Sequence, residues 1–287
     1  HTTILLGAAK VLWTLKDEFE GTIKLLFQPG EEKNPGGASY MIRDGALENP
    51  KPQGIIGLHV HPGLNEGKLS FRKGRVMASA DELYVSIKGP GGHAATPHQT
   101  VDTILVAAQL IQSLQTIISR ESDLTNEAAV ITVGKIKAGV RFNIIPETAE
   151  MVGTIRTLDY KMRDHIGKRM KEMVSAIAAA YGGTATVDIV NGAAITYNDA
   201  NLVGQMLPTL QKTAGKEQVM LMKAITGAED FSFFQEKVPG FYFFLGGNTP
   251  GNKEAFPHHT PDFKIDDAGM LLGVKTLSEM ALDYLSH

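Results

Sequence analysis

Glu31 and Glu32 stand side by side in Gln28-Pro29-Gly30-Glu31-Glu32, directly after the apolar run Ile23-Lys24-Leu25-Leu26-Phe27. In a straight strand two neighbouring side chains point to opposite faces. A Pro-Gly corner fixes one φ and frees the next, so both carboxylates can be aimed into one pocket. Two carboxylates there are costly unless a cation or a shared proton compensates them. The pair asks for a metal; taken alone, it also reads as ordinary surface charge beside Lys33. His59 and His61, two residues apart in an apolar segment, and His258 and His259, in a Pro/Gly-rich loop, extend the set. Imidazole nitrogen and carboxylate oxygen are the ligands zinc accepts, with manganese, nickel or cobalt as substitutes. Of two adjacent carboxylates, one can bind the metal while the other stays free as a general base for water. The joint pattern points to a metal hydrolase.

A second group of polar residues lies mid-chain. His93 sits in Gly91-Gly92-His93-Ala94-Ala95-Thr96-Pro97-His98, whose glycines match neither a P-loop nor a dinucleotide fingerprint. Its imidazole is suited to donating to a developing oxyanion. Asn143 precedes Ile144-Ile145-Pro146, and Arg156 ends Gly153-Thr154-Ile155-Arg156. Arginine clamps a carboxylate bidentately, although a surface strand charge fits Arg156 equally well. Glu229-Asp230 reads as the acidic start of a helix, with support of a metal ligand as the alternative.

These residues need elements to position them. The 287 residues exceed what one compact core normally holds, so two domains are expected. Apolar spacing predicts a helix over 2–17 capped by Thr2 or Thr3, and a buried strand over 21–28. A helix over 36–47 and a strand over 54–61 complete a parallel βαβ unit, with the acidic pair and His59 near strand ends. From residue 81 the order becomes strand, helix, strand, strand, helix, strand, ending near 190, which is the ferredoxin-like signature. The predicted fold is α/β: a metal-dependent hydrolase domain with a mixed, mainly parallel sheet (1–75 and 191–287) and an inserted ferredoxin-like α+β lid (76–190). Beyond the lid, helices over 199–214 and 266–285 flank short strands at 218–222 and 241–245.

Composition narrows the partners. With 28 basic and 31 acidic residues the formal charge is −3, which offers no basic footprint for nucleic acid or a membrane surface. No apolar run approaches the ~20 residues of a membrane span. There is no cysteine, hence no disulfide frame and no thiolate metal site in this chain. Cytoplasm is the default location. His1 opens the chain without a methionine and runs straight into an apolar helix, which reads as the middle of a domain with an N-terminal portion missing.

In order along the chain, these motifs resemble the aminoacylase/carboxypeptidase type of co-catalytic metallopeptidases, in the amidohydrolase branch of N-acyl-amino-acid, hippurate and auxin-conjugate hydrolases. The resemblance rests on Gln28-Pro29-Gly30-Glu31-Glu32, Gly57-Leu58-His59-Val60, Gly91-Gly92-His93, Asn143-Ile144-Ile145-Pro146, Gly153-Thr154-Ile155-Arg156, Gly227-Ala228-Glu229-Asp230-Phe231 and His258-His259-Thr260-Pro261. It implies that Glu31 is the general base and that Glu32, His59 and His259 are metal ligands. It implies that His93 stabilises the tetrahedral intermediate and that Asn143 and Arg156 hold the substrate carboxylate. It further implies an N-acyl amino acid or short peptide as substrate, a divalent metal such as zinc, and a homodimer joined through the lid. The family's first metal motif, C-G-H-D-x-H, is represented only by its last histidine, His1. The remaining ligands suffice for one zinc and are too few for two. The alternatives are a homologue that binds ligand or partner without catalysis, and a hydrolase redirected to esters.

Overall fold

A helix with Ile4, Ala8 and Leu12 buried one turn apart opens the chain, α1 (Thr2–Thr14). The computed structural model describes residues 1–34, 36–252 and 256–286. After α1 come α2 (Gly37–Arg43), β1 (Ile55–Asn65), β2 (Leu69–Phe71), β3 (Gly74–Met77), β4 (Ser79–Lys88) and β5 (Gly92–His93). Next are α3 (Thr103–Thr116), β6 (Ala129–Ala138), β7 (Ile144–Ile145), β8 (Thr148–Thr157), α4 (Tyr160–Ala180) and β9 (Thr184–Asn191). The chain closes with β10 (Thr196–Asn198), α5 (Ala200–Ala214), β11 (Val219–Leu221), α6 (Phe231–Gln235), β12 (Gly240–Asn248) and α7 (Gly269–Leu285). Two units divide these elements: His1–Val76 with Thr196–Ile225 and Asp230–His287, and Met77–Ile195 with Thr226–Glu229.

The first unit is built on a four-stranded sheet in the order β1-β12-β2-β11. Strand β12 is buried along its whole length, as a central strand covered on both faces must be. It runs parallel to β1, with His59 opposite Phe244, and antiparallel to β2, which in turn runs parallel to β11. The sheet is thus mixed and mainly parallel. Phe241, Phe243 and Leu245 pack with Ile4, Met206 and Met280 in one core.

Residues 21–28 depart from the expected strand. Among the described residues they join no ladder, and the βαβ unit anticipated across residues 21–61 is not seen there. An apolar run becomes a strand only where a neighbouring backbone takes its hydrogen bonds. Here a side chain ties the segment down instead: the Lys24 ammonium donates to the carbonyls of Ala46, Glu48 and Pro50 at 3.1, 2.5 and 3.0 Å. The cap of α1 also differs. His1 is its N-cap without a side-chain bond, and Thr2 and Thr3 lie inside the helix.

The second unit has an antiparallel sheet in the order β6-β8-β4-β9, with α3 and α4 packed on one core against it. This is the ferredoxin-like β-α-β-β-α-β arrangement. Alternation along β4 sends Leu83, Val85 and Ile87 inward. In α4 every fourth residue is buried: Met162, Ile166, Met170, Val174 and Ala178. Asp102 and Asp159 cap α3 and α4 by accepting from first-turn amides. Among the described residues, no helix is long and apolar enough to cross a membrane.

Candidate metal centre

The centre grows out of β1, the loop before α7 and the Pro-Gly-Glu-Glu turn. His59 lies on β1, and its Nδ1 is 2.7 Å from the Val60 carbonyl. That contact places the ring proton on Nδ1 and leaves the Nε2 lone pair free, the arrangement a metal ligand needs. Edge-on around His59 stand His1 and His258, with ring centroids 4.5 and 5.0 Å away. Burial, more than any other effect, lowers the His59 pKa to about 4, with the His258 and His61 charges adding to the shift. The ring is therefore neutral at pH 7.

His258 and His259 face different ways. His259 has a left-handed backbone, φ 60, rare for a side chain with a Cβ. The turn sends the His258 ring toward His59, while the His259 Nδ1 comes 3.7 Å from a Glu32 carboxylate oxygen. Among the described residues, His258 Nε2 is buried with no hydrogen-bond partner. Burial also lowers the His258 pKa, and the neighbouring His259 adds to the effect. A buried, unsatisfied ring nitrogen among neutral imidazoles and carboxylates is the kind of polar atom a cation satisfies. The donor set therefore fits a divalent metal ion. Among the described residues, Glu32, His59 and His259 do not converge to within 4.8 Å as a set; the His258 ring neighbours both His59 and His259.

Glu31 adjoins this group. Burial raises its pKa above the usual carboxylate value; the negative charges of Glu32 and Asp230 push the same way, and His259 and the Asp230 amide oppose them. Glu31 is thus a stronger base than an isolated glutamate. Of the two readings of Asp230, helix cap or support for the metal site, the structure removes the first. Asp230 precedes α6 but makes no side-chain cap; its carboxylate, only 3% exposed, accepts from the Gln28 amide and the Ala38 backbone N–H. His1 Nε2 accepts from the Val60 N–H at 3.0 Å, and His61 Nδ1 accepts from the Gly63 N–H at 3.1 Å.

In the second unit, β5 pairs with β7, and the Ala94 N–H donates to the Asn143 carbonyl at 3.1 Å, which brings His93 and Asn143 together. The glycines of the loop serve this approach, because a Cβ at Gly91 would lie 2.6 Å from the Ile145 carbonyl oxygen. His93 Nδ1 accepts from the Ala95 N–H at 3.1 Å, so in the neutral ring Nε2 carries the proton and points its donor outward from that bond. Arg156 lies on β8, half-buried, with its Nε donating to Thr154 Oγ1 at 3.1 Å. The sequence marks Gln28 only as part of a motif and Asp230 as a helix start or a support of a metal ligand; no local pattern announces that they bind each other across 202 positions.

Residues 1–283 match peptidase family M20/M25/M40. The chain belongs to this family. It is 37% identical over 281 residues to N-acetyl-L-cysteine deacetylase of Bacillus subtilis, covering 98% of this chain and 65% of the relative. It is 36% identical over 296 residues to IAA-amino acid hydrolase ILR1-like 4 of Arabidopsis thaliana, covering 99% and 65%. The crystal structure of a Bacillus subtilis dinuclear metal binding peptidase of the M20 family superposes with a TM-score of 0.80 at 30% identity, covering 100% of this chain and 71% of that one. The chain thus spans about two thirds of the length of the two enzymes and more of the peptidase. As a member of the M20/M25/M40 family it is a metal-dependent hydrolase of amide bonds.

The titration of His59 has a measurable consequence in the metal-free protein. Its folded pKa is about 4 against an ordinary 6.5, so the unfolded chain binds the proton more readily. Stability is fully present above pH 6.5 and is lost as pH falls toward 4, by on the order of 3 kcal/mol for this ring. Denaturant melts of chelator-treated protein between pH 7 and 4 should show this loss, and His59→Asn should flatten it. Equal slopes in the two proteins would refute the assignment.

Proposed function

We propose that the chain cleaves the amide bond of an N-acyl amino acid or short peptide, with Glu31 as the group that moves the proton. The observation that supports this reading is the Glu31 carboxylate, its pKa raised, beside the Glu32–His259 pair. Glu32 and His259, with His59 on the far side of the His258 ring, would hold one divalent ion, zinc in our reading, by drawing together around it, since three protein ligands and a water meet the minimum of a catalytic site. When bound, the ion supplies positive charge that polarises the amide carbonyl and eases the ionisation of water. Glu31 accepts a proton from the attacking water and passes it to the leaving amine nitrogen. A carboxylate with a raised pKa suits both transfers.

The second unit supplies recognition. The His93 Nε2–H donates to the carbonyl oxygen as negative charge develops on it. Arg156 takes the substrate carboxylate in its guanidinium fork, and Asn143 adds a neutral hydrogen-bonding group at the same end. One relative deacetylates N-acetyl-L-cysteine and another hydrolyses IAA-amino acid, which supports an N-acyl amino acid as the substrate class. The second unit also serves as the lid and joins two copies through an edge strand of its sheet. Size-exclusion chromatography with light scattering tests that dimer; a monomer at micromolar concentration would refute it.

The deciding assay sets N-acyl amino acids, short peptides and matched esters side by side, with chelator and with zinc restored. Hydrolysis of the N-acyl amino acids should fall to background on chelation and return with zinc. Activity on esters alone, or activity indifferent to the chelator, would overturn the proposal.

A further inference from the structure

We propose that Asp230 is a positioning residue that sets the orientation of Glu31 by clamping both ends of the turn that carries it. The inference rests on Glu31 as the base. One Asp230 carboxylate oxygen accepts from Gln28 Nε2 at 2.5 Å, three residues before Glu31. The other accepts from the Ala38 N–H at 3.0 Å, just inside α2. The backbone N–H of Asp230 itself bonds Glu31. A single buried residue thus binds the turn before Glu31, Glu31 itself, and the helix after it.

Two glycines show how closely the turn and this carboxylate are fitted. Gly36 has φ +85, and a Cβ there would overlap the Asp230 carboxylate. A Cβ at Gly37 would overlap the Pro29 carbonyl. The backbone is drawn in at both positions to a distance only glycine allows. A buried carboxylate held by two donors is also a rigid anchor, because releasing either donor leaves a buried polar group unpaired. Carboxylate identity is not essential to this role. With asparagine at 230, Oδ1 can still accept from Ala38, and the Gln28 amide can flip so that its oxygen accepts from Nδ2.

The test compares Asp230→Ala, Asp230→Asn and Glu31→Gln in the metal-loaded protein. Asp230→Ala should lower kcat roughly 10- to 100-fold with KM little changed, the usual cost of losing a supporting hydrogen-bond partner. Asp230→Asn should restore most of that loss. Hydrogen exchange, which needs no activity, should quicken in the peptide containing Ala38 for Asp230→Ala and stay slow for Asp230→Asn. If Asp230→Ala does not fold, Gln28→Leu removes one of the two bonds and should give the same effects in smaller measure. An asparagine variant as poor as the alanine one, or an alanine variant with native kcat and exchange, would overturn the proposal. A fully active Glu31→Gln would instead refute Glu31 as the base, whatever the exchange data say of the clamp.

Discussion

Glu31→Gln should reduce kcat by roughly 10²- to 10⁴-fold, the contribution typical of a general base, while metal uptake stays intact. Glutamine keeps the size of the side chain and an oxygen able to accept the Asp230 amide, but it cannot take a proton from water. The nearest charges also argue for a proton-transfer role. Burial raises the pKa of Glu31 and the charges of Glu32 and Asp230 add to it, which makes Glu31 the more basic for its role. Glu32 lies 3.7 Å from His259 instead, in keeping with the ligand role proposed for both. Metal content by mass spectrometry, measured alongside turnover, separates the two roles. A loss of metal with the loss of turnover would make Glu31 a ligand; turnover near that of the native protein would exclude it as the base.

The largest effect on stability is expected in the second unit. Asp81 is 2% exposed on β4, in a register position otherwise given to core residues. Arg163 of α4 holds it with two parallel bonds, from Nε at 2.8 Å and from a terminal nitrogen at 2.5 Å, and the Gly192 N–H adds a third. Arg163→Leu strands a buried carboxylate and should cost about 3–5 kcal/mol in denaturant unfolding. Replacing both partners by leucine should recover most of that loss, because an apolar pair of similar volume avoids the desolvation of two charges. A single variant within about 1 kcal/mol of the native protein would mean that the pair is a surface-like contact.

Much of the second unit can be read directly along the chain. The alternation of Leu83, Val85 and Ile87 and the fourfold spacing of Met162, Ile166, Met170 and Val174 are local signals, and each element buries the face its period marks. The same approach misread residues 21–28. Apolar content there satisfied the pattern of a strand, yet a strand is a relation between two backbones, and among the described residues no strand pairs with this one. Glu31 and Glu32 were legible as a pair because the Pro-Gly corner and the adjacency are both local. Asp230 was legible as an acidic residue before a helix or as a support of the metal site, but not as the partner of Gln28 and Ala38.

The sequence by itself determined the chemistry available: two adjacent carboxylates, paired histidines, an arginine on a strand, and the periods that form helices and sheets. Residue type and spacing decide such matters, since they follow from bonds along the chain. Tertiary structure alone decided how those groups divide the work. It turned His258 toward His59 and His259 toward Glu32, and it made His59 neutral by burying it. It also gave the Asp230 carboxylate to Gln28 and Ala38 instead of to the first turn of α6. Burial, pKa and long-range hydrogen bonds depend on which distant segments meet, and that information is absent from any single stretch of the chain.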